Sequence, residues 1–177
     1  MTGIMTAISG SIPGIIYANG LYRRTYSGYF NDDVNYFDSA SPTAAAVDTS
    51  PLSPGAIPNT TSYQWLGYWL ATSDTLFSGS TYFQLTSDDA SYMWIGNTAI
   101  TGYTTGNALI NNGGVHVSTT VGGNTPMTAG QYYPIRIQYG NNTGSTAFSL
   151  TVYTISLAAY TTTMTSNIFY NAVTLGL

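Results

Sequence analysis

Two adjacent carboxylates, Asp88 and Asp89, lie between apolar runs in the segment Phe83-Gln84-Leu85-Thr86-Ser87-Asp88-Asp89-Ala90-Ser91-Tyr92-Met93-Trp94-Ile95-Gly96. An apolar strand ends, both acids fall in the turn, and a second apolar strand leaves. Neighbouring carboxylates repel unless something cationic stands between them, and in a regular strand they point to opposite faces. A kink that turned both inward would make a hard oxygen site suited to Ca²⁺, which takes about six to eight oxygen ligands. The plainer reading is a structural turn in which the carboxylates cap backbone N–H groups. Residue types alone leave both open.

The other polar clusters read more simply. Asn31, Asp32, Asp33, Asn35 and Asp38 lack the glycine and the closing glutamate of an EF-hand loop and read as a solvated loop. Asn111-Asn112-Gly113 reads as a hairpin turn. His116 stands alone on the polar face of a strand, with no Cys or Glu beside it, and reads as a surface histidine. Trp65, Trp69 and Trp94 could stack on sugar rings; core positions are favoured for each, and Trp94 is kept among the ligand-binding candidates. Arg136, in mid-strand, is expected to pair with an Asp or a carbonyl. Asn59 and Asn141 each begin an N-x-T sequon. Catalysis is not expected: the chain has no Cys, Lys or Glu, and adjacent acids favour joint metal ligation over opposed acid and base roles across a cleft.

The 177 residues suffice for one domain with a core and short terminal segments. Charged residues make up 6% of the chain, against about 25% in ordinary globular proteins. Solubility therefore rests on Ser, Thr, Asn, Gly and Tyr, a surface suited to extracellular particles, packed assemblies and sugar-facing proteins. A net charge of −4, with three arginines and no lysine, excludes a basic patch for nucleic acid. Without cysteine there is no disulfide framework or thiolate metal site. No apolar run is long enough for a membrane span. The first twenty residues do not read as a secretory signal, so particle assembly followed by lysis is one expected route out of a cell.

Positioning falls to strands. Leu21 to Phe30, Ser62 to Ala71, Tyr82 to Thr86, Tyr92 to Ile95, Val115 to Val121, Tyr133 to Tyr139 and Phe148 to Val152 carry apolar or aromatic residues, several in strict alternation. Period-two patterning predicts antiparallel sheets with one buried face. Gly96-Asn97, Asn112-Gly113 and Gly140-Asn141 read as turns between them, and the Pro-rich stretch 38–60 as a long connection. No segment shows a helical period. The expected fold is an all-β antiparallel sandwich, jelly-roll-like, over residues 20–155, with an extended N-terminal arm at 1–19 and a C-terminal strand or arm at 156–177.

Gly20-Leu21-Tyr22 with Tyr26, the Ser-Asp-Asp-Ala-Ser-x-x-Trp-Ile-Gly segment, and Ala129-Gly130-Gln131-Tyr132-Tyr133-Pro134-Ile135-Arg136-Ile137 occur in an order and spacing that resemble the protective-antigen (PA-fourteen) domain and its GLEYA relatives. The resemblance runs from about residue 20 to 155 and implies a β-sandwich. In the yeast adhesin branch, an Asp pair joined by a cis peptide holds Ca²⁺, which bridges to sugar hydroxyls; Asp88 and Asp89 match that motif. The adhesins add an Asn and backbone carbonyls from a later loop, for which Asn111, Asn112 and Gly113 are the candidates. The cysteines that brace the yeast adhesins are missing here. The resemblance thus implies metal ligands at Asp88, Asp89, Asn111 and Asn112, and ligand binding at Asp88, Asp89, Asn112, Gly113 and Trp94. Combined with the composition, the expectation is a non-enzymatic structural or surface protein of an extracellular particle, such as a virion capsid, decoration or fibre component, with a Ca²⁺-dependent glycan-binding loop. Its partners would be other copies of itself or other particle proteins, through the arms, and host-surface glycans. The alternative is a free-standing Ca²⁺-dependent carbohydrate-binding adhesin or lectin module.

Overall fold

Aromatic and β-branched side chains at alternating positions favour extended backbone packed on one face, and most of this chain adopts it. The computed structural model describes residues 15–49, 56–76, 78–153 and 169–174. They form β1 (Ile15–Asn19), β2 (Leu21–Ser27), the one-turn helix α1 (Tyr36–Ser39), β3 (Ala44–Asp48), β4 (Thr61–Leu70), β5 (Ser80–Asp88), β6 (Ser91–Ile95), β7 (Ile110–Asn112), β8 (Thr119–Pro126), β9 (Tyr132–Asn141), β10 (Ala147–Val152) and β11 (Phe169–Thr174). An eight-stranded sheet runs β1-β11-β4-β9-β6-β7, with β2 also lying along β4 and carrying β3; a three-stranded sheet runs β10-β5-β8. Every pairing among these strands is antiparallel. The all-β sandwich is therefore the fold.

The pleat sorts the side chains. Tyr63, Trp65 and Trp69 of β4 and Tyr133, Ile135, Ile137 and Tyr139 of β9 face the smaller sheet, where they meet Phe83 and Leu85 of β5 and Phe148, Leu150 and Val152 of β10. Trp65 stacks on Phe148 with ring centroids 4.9 Å apart, and Trp69 meets Phe83 edge-on at 5.2 Å. Each such buried side chain contributes about 1.5–3 kcal/mol of transfer free energy. The opposite face of the large sheet is partly capped by α1 and its flanking loops, which bury Tyr26, Phe30, Phe37, Tyr92, Trp94 and Tyr103 in a second cluster.

Several local expectations are corrected. The 38–60 connection is not structureless: Ala44–Asp48 pairs with β2 as β3, and α1 precedes it. Val115 and Val117 lie outside any strand and are 63% and 81% exposed. Their stretch lends N–H groups to carboxylates instead of a ladder. Gly140-Asn141 is not a turn but the end of β9, where Asn141 still pairs with Thr61. Of the two segments expected as arms, residues 15–19 pair with 170–174, and β11 pairs in turn with β4. Residues 1–14 and 154–168 lie outside the described residues, as do 50–55 of the Pro-rich connection. No helix among the described residues is long and apolar enough to cross a membrane.

Gly67 marks where β11 docks. A Cβ there would lie 2.3 Å from the Tyr170 carbonyl oxygen and 2.6 Å from the Leu21 side chain. Gly67→Ala is expected to force β11 off β4 and lower stability by about 1–3 kcal/mol, seen as a lower urea midpoint. An unchanged midpoint would mean that this docking contributes nothing to the fold.

Candidate functional site

Asp88 closes β5 and Asp89 follows it across a cis peptide bond. Both residues are almost buried, at 8% and 2% exposure. Asp89 Oδ1 accepts the His116 backbone N–H at 3.0 Å, and its Oδ2 accepts the Asn142 N–H at 2.8 Å. The Asp88 carboxylate accepts the Ser118 N–H, and its main-chain carbonyl accepts the Tyr139 hydroxyl at 2.6 Å. Both carboxylates thus converge on the loop 113–118, between β7 and β8. Capping of N–H groups, the plainer of the two readings, is present at both acids.

Capping does not neutralise the charge. Burial raises the Asp88 pKa above the usual carboxylate value, and the Asp89 charge raises it further, while His116 and the Ser118 N–H pull it back. No arginine pairs with either acid: among the described residues the one ion pair is Arg23 with Asp48, at 3.4 Å. His116 is folded into the loop rather than projecting from a strand. Its Nε2 lies 3.2 Å from the Asn112 carbonyl oxygen and its Nδ1 2.9 Å from that of Val117. A neutral imidazole can donate to one of these, a charged one to both.

Strand β7 forms the neighbouring wall, and its pleat separates the two asparagines expected to act together. Asn112 is 4% exposed. Its amide nitrogen donates to Ser87 Oγ at 2.8 Å and to the Thr119 carbonyl at 3.0 Å, and Ser87 Oγ in turn bonds Ser91 Oγ at 2.8 Å. The amide oxygen of Asn112 makes no hydrogen bond to a described residue. Asn111 turns away: it donates to the Thr105 carbonyl and accepts the Gly113 N–H. The structure therefore does not bring Asn111 to the expected metal site. Trp94 is likewise not a ligand platform. It is fully buried, and its indole N–H is shared between the Thr104 carbonyl and Asn107 Oδ1.

Other participants had no sequence signal. Asp32, expected in a solvated loop, accepts the Tyr92 hydroxyl at 2.8 Å and the Gly114 N–H at 3.1 Å, and so pins the glycine turn that carries Gly113. The fit is close, since a Cβ on Gly113 would sit 1.9 Å from the Tyr92 hydroxyl oxygen. The Tyr29 hydroxyl is buried with no hydrogen-bond partner among the described residues; burial first, then the charges of Asp32 and Asp89, raise its pKa. Arg136 meets its expectation, donating from Nε to the Ala99 carbonyl at 2.8 Å. The sequon at Asn141 is closed, because that side chain is fully buried and bonded to the Pro58 carbonyl, whereas Asn59 is exposed.

Residues 61–154, more than half of the chain, match the GLEYA domain family. This chain belongs to the GLEYA family. Solved structures agree on the fold. The Epithelial Adhesin 9 A domain from Candida glabrata, in complex with Galβ1-4GlcNAc, superposes on the GLEYA domain described here with a TM-score of 0.70, at 13% identity over 96% of each chain. The Epithelial Adhesin 6 A domain from the same organism, in complex with Galβ1-3GlcNAc, gives 0.65 at 18% identity over 88% of each. The PA14 sugar-binding domain from an RTX adhesin gives 0.64 at 12% identity, over 87% of this chain and 99% of that one. No curated protein matches the chain.

The donor set of this GLEYA domain suits a hard cation. No three His, Cys, Asp or Glu side chains among the described residues are grouped to hold a metal. What the site offers is two carboxylates and, bonded to Ser87 beside them, the side-chain amide of Asn112. Ca²⁺ takes such mixed oxygen sets and fills the balance with water. It would also supply the positive charge that the acids lack.

Proposed function

We propose that this GLEYA domain is a carbohydrate-binding module of the surface-adhesin kind, and that it recognises sugar with a Ca²⁺ held by Asp88, Asp89 and the Asn112 amide oxygen. One observation carries the reading: two nearly buried carboxylates converge on one loop with no arginine to balance them. When bound, the ion would bridge protein oxygens to sugar hydroxyls. The chain's own part is to orient the donors. Asp89 is fixed by two N–H groups, Asn112 by Ser87 and Thr119, and the glycine turn by Asp32. Non-enzymatic binding fits a pair of acids placed side by side, and the three neighbours are named as adhesin or sugar-binding domains. That support goes to the free-standing lectin reading. The particle setting rests on the sequence reading, its composition and the lack of a secretory-signal pattern.

The test is binding to galactose-terminated disaccharides, with Ca²⁺ and with a chelator. Binding with Ca²⁺ that vanishes on chelation is expected. Binding that survives chelation would sink the metal role, and no glycan binding at all would sink the lectin.

Acid should weaken the metal site early. A proton and Ca²⁺ compete for Asp88, whose pKa stands above the ordinary carboxylate value. On descending from neutral pH, Ca²⁺ affinity is therefore expected to begin falling before a normal aspartate, near 3.9, would protonate. In the metal-free protein the sign reverses. The raised pKa favours the protonated folded state, so this group's stability contribution is present at low pH and is lost as pH rises through its folded value. Calcium titrations and melting curves across that range check both signs; parallel trends with and without metal would refute the assignment.

A further inference from the structure

Away from the Asp88–Asp89 loop, the uncapped part of the large sheet's outer face holds a pocket of about 320 Å³, lined by Tyr22, Leu66, Tyr68, Ile100, Pro134 and Arg136 with their neighbours. The pleat explains its make-up. Tyr22 and Arg24 on β2, Leu66 and Tyr68 on β4, and Pro134 and Arg136 on β9 all occupy even positions, and the register sets Tyr22, Leu66 and Arg136 in one row across three strands.

Arg136 gives the pocket its charge. The residue is 9% exposed, its guanidinium lies 4.0 Å from the Tyr103 ring centroid, and its Nε is spent on Ala99. The two terminal nitrogens have no hydrogen bond or ion pair with a described residue. Asp38 offsets part of that charge from a distance, but its carboxylate accepts the Tyr103 hydroxyl and forms no ion pair with Arg136. Arg24, set 5.5 Å from the Tyr22 ring centroid, adds positive charge on the same face. Burial, foremost, depresses the Arg136 pKa and Arg24 adds to that, while Tyr103 and Asp38 oppose it. In a chain of net charge −4 with three arginines, two stand here. A buried guanidinium with no carboxylate paired directly to it is costly, and a bound anion would relieve it.

We propose that this pocket binds a ligand through a single carboxylate, and that the ligand is an acidic sugar of the uronic type. Two terminal guanidinium nitrogens form a planar fork that matches a carboxylate, and one buried positive charge balances one negative charge, where a phosphate would bring nearly two. The Tyr22, Leu66 and Pro134 walls suit the C–H face of a single ring, and the volume falls at the lower end of small-ligand sites, about 300–1,000 Å³. The proposal stands apart from the Asp88–Asp89 reading, which concerns another part of the molecule and the opposite charge.

Calorimetric titration with D-glucuronate, in a chelator and at physiological salt, tests it. Glucuronate is expected to bind, and methyl β-D-glucoside, which lacks the carboxylate, to bind at least about tenfold more weakly. Ile100, 55% exposed at the pocket, tolerates change. Ile100→Glu places a carboxylate within the chain's own reach of Arg136 and is expected to weaken glucuronate about tenfold with a melting temperature no lower than the parent's. Ca²⁺ in place of the chelator should leave glucuronate binding unchanged. No glucuronate binding, equal binding of the glucoside, or indifference to Ile100→Glu would overturn the pocket. Equal binding of N-acetylglutamate amide would overturn the sugar and point to a polypeptide carboxylate. Glucuronate binding that changes when Ca²⁺ replaces the chelator would overturn the separation of the two sites.

Discussion

Asp89→Ala is expected to abolish Ca²⁺ binding and the Ca²⁺-dependent retention of glycan. Losing an outer-shell partner of a metal ligand costs roughly 10–100-fold in metal affinity, so loss of a ligand carboxylate itself should exceed the upper end. The change also strips the His116 and Asn142 N–H groups of their acceptor, at about 1–3 kcal/mol for each buried group left unsatisfied. A fall in stability alone would therefore be ambiguous. Asp88→Asn separates the effects. It removes a charge whose ionisation burial and Asp89 already oppose, so the metal-free protein should melt no lower than the parent. The rise in melting temperature that Ca²⁺ produces by binding the native state should disappear in both variants. If Asp88→Asn keeps that rise, the pair does not hold the metal.

Trp65→Ala should be the most damaging change to the fold. Trp65 is fully buried, stacked on Phe148 across the two sheets with planes 2° from parallel, and 5.6 Å from Tyr63. Its indole N–H also donates to Asp48 Oδ2 at 2.8 Å. Truncating a buried tryptophan costs about 3–5 kcal/mol, against a total of about 5–15 kcal/mol for a whole domain. Equilibrium unfolding in urea should show that loss or no folded baseline at all. Trp65→Phe keeps a ring against Phe148 and should lose clearly less. A cost below about 1 kcal/mol for the alanine variant would mean that the sheets do not lean on each other here.

The contrast between Trp65 and Asp32 shows what sequence can convey. Trp65 lies in a local apolar run whose period announces a buried strand, and the same holds for Phe83, Ile137 and Leu150. The Asp pair is legible for a related reason, because both acids and both flanking strands fall within one short segment. Asp32, Ser118 and Asn142 reach the site from distant segments and contribute through single bonds that leave no periodic trace. Val115 and Val117 mislead because β-branched alternation is only a preference; backbone N–H groups committed to carboxylates cannot also make a ladder. Asn111 and Asn112 look equivalent until the pleat of β7 sends them to opposite sides. The Arg136 pocket depends on the register of β2, β4 and β9, which no local pattern specifies.

The pairing of β1 with β11 sets an order of events in synthesis. Ile15 finds its partner in Thr174, so a ribosome has released nearly the whole described chain before β1 has a neighbour. Until then Trp69, which packs against Phe169 at 5.1 Å, lacks one of its covers. Long-range pairing of this kind is slow to form, and a nascent chain stalled before residue 169 would hold most of the sandwich with one flank open to other strands.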